Sequence, residues 1–158
     1  MENKIFFTQE KLKKLEIQLM DAKEELDFYL NTFSEHINKI KSKIQDGEFD
    51  SDTQLFPLDI DNYLLSRDNN LVRWRDRVSA KSKKKKRTVC RTAFFNQLNN
   101  PNLDNQIKQK LLEIEWELTS GKQQLKILLT NYRLKKKEIE KFKKLQAEEK
   151  FLIALTVF

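Results

Sequence analysis

Few side chains in this sequence are suited to covalent chemistry. His36 is the only imidazole and Cys90 the only thiol among 158 residues. Nucleophilic catalysis needs a nucleophile, a general base and a group that orients the base, and no His lies near Cys90 in the sequence. Cys90 is therefore interpreted as a structural thiol, although Arg87 and Arg91 would stabilise its thiolate, and His36 as a packed or edge-of-core histidine. We predict that the chain is not an enzyme and has no catalytic residue and no small-molecule substrate.

Metal and cofactor sites are not indicated either. Acidic residues crowd the stretch from Asp46 to Asp52, but DGEFDSD lacks the twelve-residue calcium-loop pattern with a central Gly and a final Glu. One His and one Cys cannot supply the usual zinc ligands within a single chain. Because no phosphate-binding Gly-rich motif is present either, we predict no metal and no cofactor.

Concentrated positive charge is the most informative feature. The formal net charge is +7, but residues 67–91 hold eleven cations against two anions, a local charge of +9 that leaves −2 for the rest of the chain. Lys and Arg that neutralise phosphates release condensed counterions, so such a segment is typical of a protein with a polyanion partner. The predicted nucleic-acid-binding residues are Arg67, Arg73, Arg75, Arg77, Lys81, Lys83, Lys84, Lys85, Lys86, Arg87 and Arg91.

Two further charged stretches accompany this segment. Residues 133–144 carry a net charge of +5, and residues 46–61 carry −6. The basic stretch is interpreted as a secondary patch, with a solvated helix face as the alternative. For the run from Lys81 to Arg87, phosphate contact is favoured over a nuclear-import-like signal or a solvated loop. The secondary patch consists of Arg133, Lys135, Lys136 and Lys137.

Aromatic residues stand beside the basic segment at Trp74, Phe94 and Phe95. Aromatic side chains near arginine can stack on unpaired bases. Core packing is the favoured interpretation for all three, because large aromatic side chains are mostly buried in folded domains.

Two long stretches have the apolar spacing of helices that pack against a partner helix. In residues 8–46 the apolar residues recur at steps of three and four, with Thr8 as the predicted N-cap and Gly47 as the left-handed residue that ends the helix. In residues 103–156 the same spacing continues after a predicted N-cap at Asn102. Gly121 interrupts that second stripe, and either allows another backbone to approach closely or marks a kink.

The segment between the long helices is predicted to hold an acidic loop at residues 47–57 and short helices with the basic run at residues 58–99. A short helix is expected after Pro57, which suits a first helical turn. A second is expected over residues 68–80, because Leu71, Trp74 and Val78 stand at i, i+3 and i+7.

The predicted fold is a single all-α domain, residues 1–158. It consists of two long antiparallel coiled-coil-like helices and a short, basic helical middle segment, forming a helical bundle. The chain contains only two Gly and two Pro, and this scarcity argues against turn-rich β folds and Gly-rich α/β folds. No apolar run approaches the roughly 20 residues that span a bilayer, and a single Cys is typical of a reduced compartment. We expect an intracellular protein, in cytoplasm, nucleoid or nucleus, with no membrane partner.

Charge and fold together predict a non-catalytic nucleic-acid-binding subunit of a larger nucleoprotein complex. It would contact the RNA or DNA phosphate backbone without strong sequence preference, while its apolar faces and residues 151–158 would dock on protein subunits of the assembly. The alternative is a coiled-coil scaffold or assembly factor that acts through protein–protein contacts.

Overall fold

Three helices and two short strands form the protein in a computed structural model that describes residues 4–66, 72–77 and 90–157. In chain order they are α1 (Gln9–Gln45), β1 (Leu58–Asn62), β2 (Val72–Asp76), α2 (Cys90–Leu98) and α3 (Asn105–Val157). The described chain is therefore mostly helical, as predicted, and both predicted long helices are present, but the two strands form a small sheet, so the predicted all-α class is too narrow. No helix within the described ranges has a stretch both long and apolar enough to cross a membrane.

The middle segment differs from the prediction. Residues 58–62 and 72–76 are strands that pair antiparallel. The predictions of a short helix after Pro57 and of another over residues 68–80 are therefore wrong for the residues that the structure describes. Both strands alternate apolar and charged residues, LDIDN and VRWRD, a period of two that places one set of side chains on each face. The helical spacing of Leu71, Trp74 and Val78 misled the prediction, because three apolar residues are too few to define a period.

The chain divides into two compact units, each with its own core. The first unit comprises the described residues 4–29 and 124–157. Within it, the α1 and α3 segments run antiparallel: the rings of Phe7 and Phe142 meet edge to face at 5.2 Å, and Lys135 Nζ donates to Gln18 Oε1 at 3.2 Å. Its buried apolar side chains are Leu12, Ala22, Leu26, Leu125, Leu128 and Ile139.

The end of the first unit combines an anchored backbone with exposed apolar side chains. The Glu149 carboxylate accepts hydrogen bonds from the backbone N–H groups of Phe6 and Phe7, at 2.8 and 3.0 Å. Phe151 and Leu152, from the apolar segment predicted to dock on the core or on a neighbour, are each more than half exposed. Within the described residues, this segment therefore does not cap the core.

The second unit comprises the described residues 30–66, 72–77 and 90–123, and it contains the sheet and α2. Its core contains buried apolar side chains of α1, α3 and both strands, and α2 packs against β2. Each fully buried side chain of this size contributes roughly 1.5–3 kcal/mol. Its most deeply buried side chains are Ile37, Ile44, Phe56, Leu58, Ile60, Leu64, Ile107, Leu111 and Leu118.

Gly121 lies in this second unit and explains the gap in the apolar stripe of α3. A Cβ atom at Gly121 would lie 2.1 Å from Cε2 of the Phe33 ring, far inside van der Waals contact. The glycine therefore admits the aromatic ring of Phe33, and not a second backbone.

Local signals mark the ends of the long helices. The backbone N–H of Lys11 donates to Thr8 Oγ1 at 3.3 Å, which confirms Thr8 as the N-cap of α1. At the other end, Gly47 has φ of 79°, and the N–H groups of Gly47 and Glu48 donate to the Ile44 and Lys43 carbonyls. This is the pattern of a Schellman motif.

The start of α3 depends on a contact with the acidic loop. The helix begins at Asn105, so the predicted N-cap at Asn102 is wrong. Asp104 precedes the helix, its N–H donates to Gln54 Oε1 at 2.8 Å, and its carboxylate accepts hydrogen bonds from the Ser51 and Thr53 hydroxyls. The loop after α1 is thus packed against the first residues of α3.

Replacing Gly47 with alanine is expected to lower the free energy of unfolding by about 1–2 kcal/mol. A Cβ atom in the left-handed region is strained, and here it would also meet Asp50 Oδ2 at 2.9 Å. Urea unfolding measures the loss. Gly47→Asn serves as the comparison, because Asn carries the same Cβ but tolerates positive φ better. An alanine variant as stable as the wild type would contradict this account of the helix end.

Candidate nucleic-acid interface

Arg73 and Arg75, two of the predicted binding residues, lie on one face of a two-stranded sheet. The register pairs Asp61 with Arg73, Asp59 with Arg75, and Ile60 with Trp74. Because side chains alternate along a strand, Ile60 and Trp74 face the core while Asp59, Asp61, Arg73 and Arg75 share the other face. The sheet therefore brings acidic β1 and basic β2 side chains together.

Asp61 is the central acceptor on this charged face. Its carboxylate is almost fully buried, with 8% of the side chain exposed, and it lies 3.3 Å from Arg75 Nη1 and 3.8 Å from Arg73 Nε. The Arg73 guanidinium also lies over the ring of Tyr63, 5.3 Å from its centroid. Two cations thus neutralise one buried carboxylate. Burying a carboxylate is costly without such partners.

Arg77 has a separate set of partners beyond the end of β2. Its Nη1 donates to the Phe56 carbonyl at 3.1 Å and lies 3.5 Å from Asp50 Oδ1. The same Asp50 oxygen accepts a hydrogen bond from the Phe56 N–H at 2.6 Å. Arg77 therefore holds the acidic loop against the sheet, using charge-assisted hydrogen bonds.

The predicted binding residues consequently fall into separate groups. Arg73, Arg75 and Arg77 lie together and each has a carboxylate within 4.0 Å, whereas Arg91 lies exposed on α2. The secondary patch lies on α3 in the first unit, where Lys135 is half-buried and the other three residues are exposed. The remaining predicted residues lie outside the described ranges: Arg67, Lys81, Lys83, Lys84, Lys85, Lys86 and Arg87.

The three candidate aromatic residues are divided between core and surface. Trp74 is 4% exposed and Phe94 is 5% exposed, and their rings stack at 5.7 Å with an interplanar angle of 15°. The indole Nε1 of Trp74 donates to Glu115 Oε2 at 2.5 Å. Core packing is therefore confirmed for Trp74 and Phe94. It is wrong for Phe95, which is 48% exposed.

The two residues considered for catalysis lie on different helices. His36 Nε2 of α1 lies 3.5 Å from Glu117 Oε2 of α3, and both side chains are 50% exposed. Cys90 is the first residue of α2. Across the described ranges, no group of three or more His, Cys, Asp and Glu residues is arranged to hold a metal ion.

Sequence reasoning missed the acidic partners of the basic segment. Asp50 is predicted to lie in the acidic loop of residues 47–57 and Asp61 in a short helix after Pro57, yet the two carboxylates neutralise three of the predicted binding arginines. The strict alternation of LDIDN and VRWRD was the available signal, because opposite charges at matching positions of two strands favour antiparallel pairing. Comparison of the chain with protein-family models, curated proteins and solved structures finds no match.

Proposed function

We propose that the chain is a non-catalytic nucleic-acid-binding subunit of a larger nucleoprotein complex, and that it contacts the phosphate backbone without strong sequence preference. The supporting observation is the charge between β2 and α2. Residues 78–89 contain six cations and no anion, and the elements on either side both belong to the second unit. Positive charge concentrated in a segment that joins two elements of a folded core suits an electrostatic contact with phosphates.

The partners of the arginines change which residues carry this contact. Arg73, Arg75 and Arg77 already face the carboxylates of Asp61 and Asp50, so they attract a phosphate less than isolated cations would. Their main role in this proposal is to hold the sheet and the acidic loop in place. Phosphate binding then rests on the run from Lys81 to Arg87 and on Arg91, with the patch on α3 as a secondary contact.

Neutralising the five residues from Lys83 to Arg87 with Gln is expected to weaken nucleic-acid binding and flatten its salt dependence. If all five contact phosphates, the slope of log K against log salt should fall by about 4 for duplex DNA and by about 3 for single strands. Fluorescence anisotropy with labelled RNA and DNA over a salt series measures both quantities.

The matched control removes the same number of charges from exposed positions elsewhere, which tests for a general effect of net charge. If the phosphate contacts lie in the run from Lys83 to Arg87, the slope of log K against log salt should change much less in this control variant. Equal losses in the two variants, or no binding of any nucleic acid to the wild type at low salt, would refute the proposal. The control lysines are Lys23, Lys39, Lys43, Lys122 and Lys126.

A coiled-coil scaffold or assembly factor is the second candidate function. It is favoured by large apolar side chains exposed on the long helices, among them Trp116 at 71%, Ile127 at 61% and Met20 at 60%. A large number of exposed apolar side chains is typical of surfaces that pack against other proteins. Concentration-dependent association in sedimentation experiments, without nucleic-acid binding at low salt, would favour this function over the first.

A further inference from the structure

A stack of aromatic rings leads from the core of the second unit to its surface. The ring of Phe56 lies 6.4 Å from that of Trp74, and Trp74 stacks on Phe94 at 5.7 Å. Phe94 in turn contacts Phe95 edge to face, with centroids 5.7 Å apart. The inner three rings are buried, whereas nearly half of Phe95 is exposed. Phe95 thus presents an exposed aromatic ring that packs, on its buried side, against the ring of Phe94.

A cation lies on the same side of α2 as this exposed ring. Arg91 and Phe95 are four residues apart, a spacing that places both side chains on one helix face. The Arg91 guanidinium lies 6.0 Å from the centroid of the Phe95 ring. A planar cation next to an exposed aromatic ring is a combination that suits a nucleotide, because the ring can stack on the base while the guanidinium pairs with a phosphate.

The surrounding charge also suits a polyanion. No acidic residue occurs in α2, whose sequence is CRTAFFNQL, and the six cations of residues 78–89 immediately precede the helix. Every charged side chain from residue 78 to residue 98 is therefore a cation.

Trp116 provides a contrast within the same unit. Its side chain is 71% exposed, but its neighbours on α3 include Glu113, Glu115 and Glu117. Carboxylates on either side would repel the phosphates that flank a stacked base. In the described part of the second unit, Phe95 and Trp116 are thus both exposed, but Phe95 has a cation beside its ring whereas Trp116 has carboxylates as sequence neighbours.

We propose that Phe95 stacks on an unpaired base while Arg91 pairs with an adjacent phosphate, so that the preferred partner is single-stranded nucleic acid. Paired bases are already stacked on their neighbours in a duplex and present no free face to a side chain, whereas single strands do. This inference rests on the proposed nucleic-acid-binding function and adds the class of nucleic acid.

The test uses the full-length chain with Phe95→Ala and Phe95→Trp. The probes are single-stranded DNA and RNA oligonucleotides containing 2-aminopurine, whose fluorescence reports stacking, and a blunt duplex of equal length. Phe95→Ala is expected to weaken binding to single strands roughly tenfold, the scale of one base–aromatic stack, and to abolish the 2-aminopurine signal. Duplex binding and its salt slope should remain unchanged, and Phe95→Trp should retain the signal.

Trp116→Ala is the matched control, an exposed aromatic residue beside carboxylates, and we expect it to bind single strands as the wild type does. If Phe95→Ala binds like the wild type, or if Trp116→Ala loses as much affinity, the stacking inference is wrong. If the stacking inference fails in this way but binding still depends on the cations from Lys83 to Arg87, the proposed nucleic-acid-binding function remains supported without base stacking. The DNA and RNA arms show which strand is preferred.

Discussion

Replacing Gly121 with alanine is expected to destabilise the protein by up to about 2 kcal/mol, although the same change stabilises an ordinary helix. Alanine improves helix propensity by about 1 kcal/mol, but its Cβ would lie 2.1 Å from Cε2 and 2.2 Å from Cζ of Phe33. Overpacking of this kind costs about 1–3 kcal/mol even when the surroundings relax. Because Gly121 and Phe33 are both buried, the ring has little room to move. Urea unfolding followed by circular dichroism measures the change.

The sign of this effect can be tested through the ring itself. Leucine at position 33 lacks the Cε2 and Cζ atoms that meet the new Cβ. In the Phe33→Leu background, Gly121→Ala should therefore cost far less than in the wild type, and the two changes should be strongly non-additive. A stabilised Gly121→Ala single variant, or equal effects in both backgrounds, would show that the ring of Phe33 does not require a glycine.

Replacing Asp61 with asparagine is expected to lower the free energy of unfolding by about 2 kcal/mol. The asparagine keeps the size of the side chain but removes the charge that faces Arg73 and Arg75. Breaking a buried ion pair is usually more costly, but both arginine side chains are about 30% exposed, at 31% and 30%, so water partly compensates for the lost partner. Unfolding in urea at fixed ionic strength measures this loss.

Asp59 provides a control on the same strand. It stands opposite Arg75 in the register, but its Oδ1 accepts a hydrogen bond from the backbone N–H of Ile60, and it has no ion pair within 4.0 Å in the described residues. Asp59→Asn should cost less than about 1 kcal/mol. If the two variants are equally stable, Asp61 is not the main partner of the β2 arginines.

The Asp61 variant also distinguishes a structural role of the arginines from a binding role. Removing the carboxylate releases two cations on the sheet's charged face. At temperatures where Asp61→Asn remains folded, nucleic-acid affinity should stay the same or increase. A weaker affinity would indicate that binding needs the intact sheet more than it needs additional positive charge.

Much of the helical structure was predictable because its signals are local. The apolar residues of α1 recur at steps of three and four, Thr8 supplies a hydroxyl to the first turn, and Gly47 adopts the positive φ that ends the helix. The interruption at Gly121 was visible too. The position of the Phe33 ring in that gap was not predictable, because Phe33 and Gly121 lie on different helices and are far apart in sequence.

The strands were not predicted because the short apolar pattern fits two periods. Val72 and Trp74 are buried two residues apart, as a strand requires, while Leu71, Trp74 and Val78 also suit a helix. Pairing with β1 decided between them, since Asp61 provides the carboxylate for Arg73 and Arg75. Without β1 beside it, a strand with the sequence VRWRD would leave its backbone N–H and C=O groups unpaired.

The sequence by itself determined the long helices, the caps of α1 and the amount of positive charge in residues 67–91. Helical periodicity, capping and composition depend only on residues close together in the chain. The tertiary structure decided which of those charges are neutralised and which aromatic ring is exposed. The Asp61 carboxylate lies 14 residues from Arg75 in sequence yet 3.3 Å away in space. Phe94 and Phe95 are adjacent, yet packing against Trp74 buries only the first. Charge compensation and burial both depend on which distant segments the fold brings into contact.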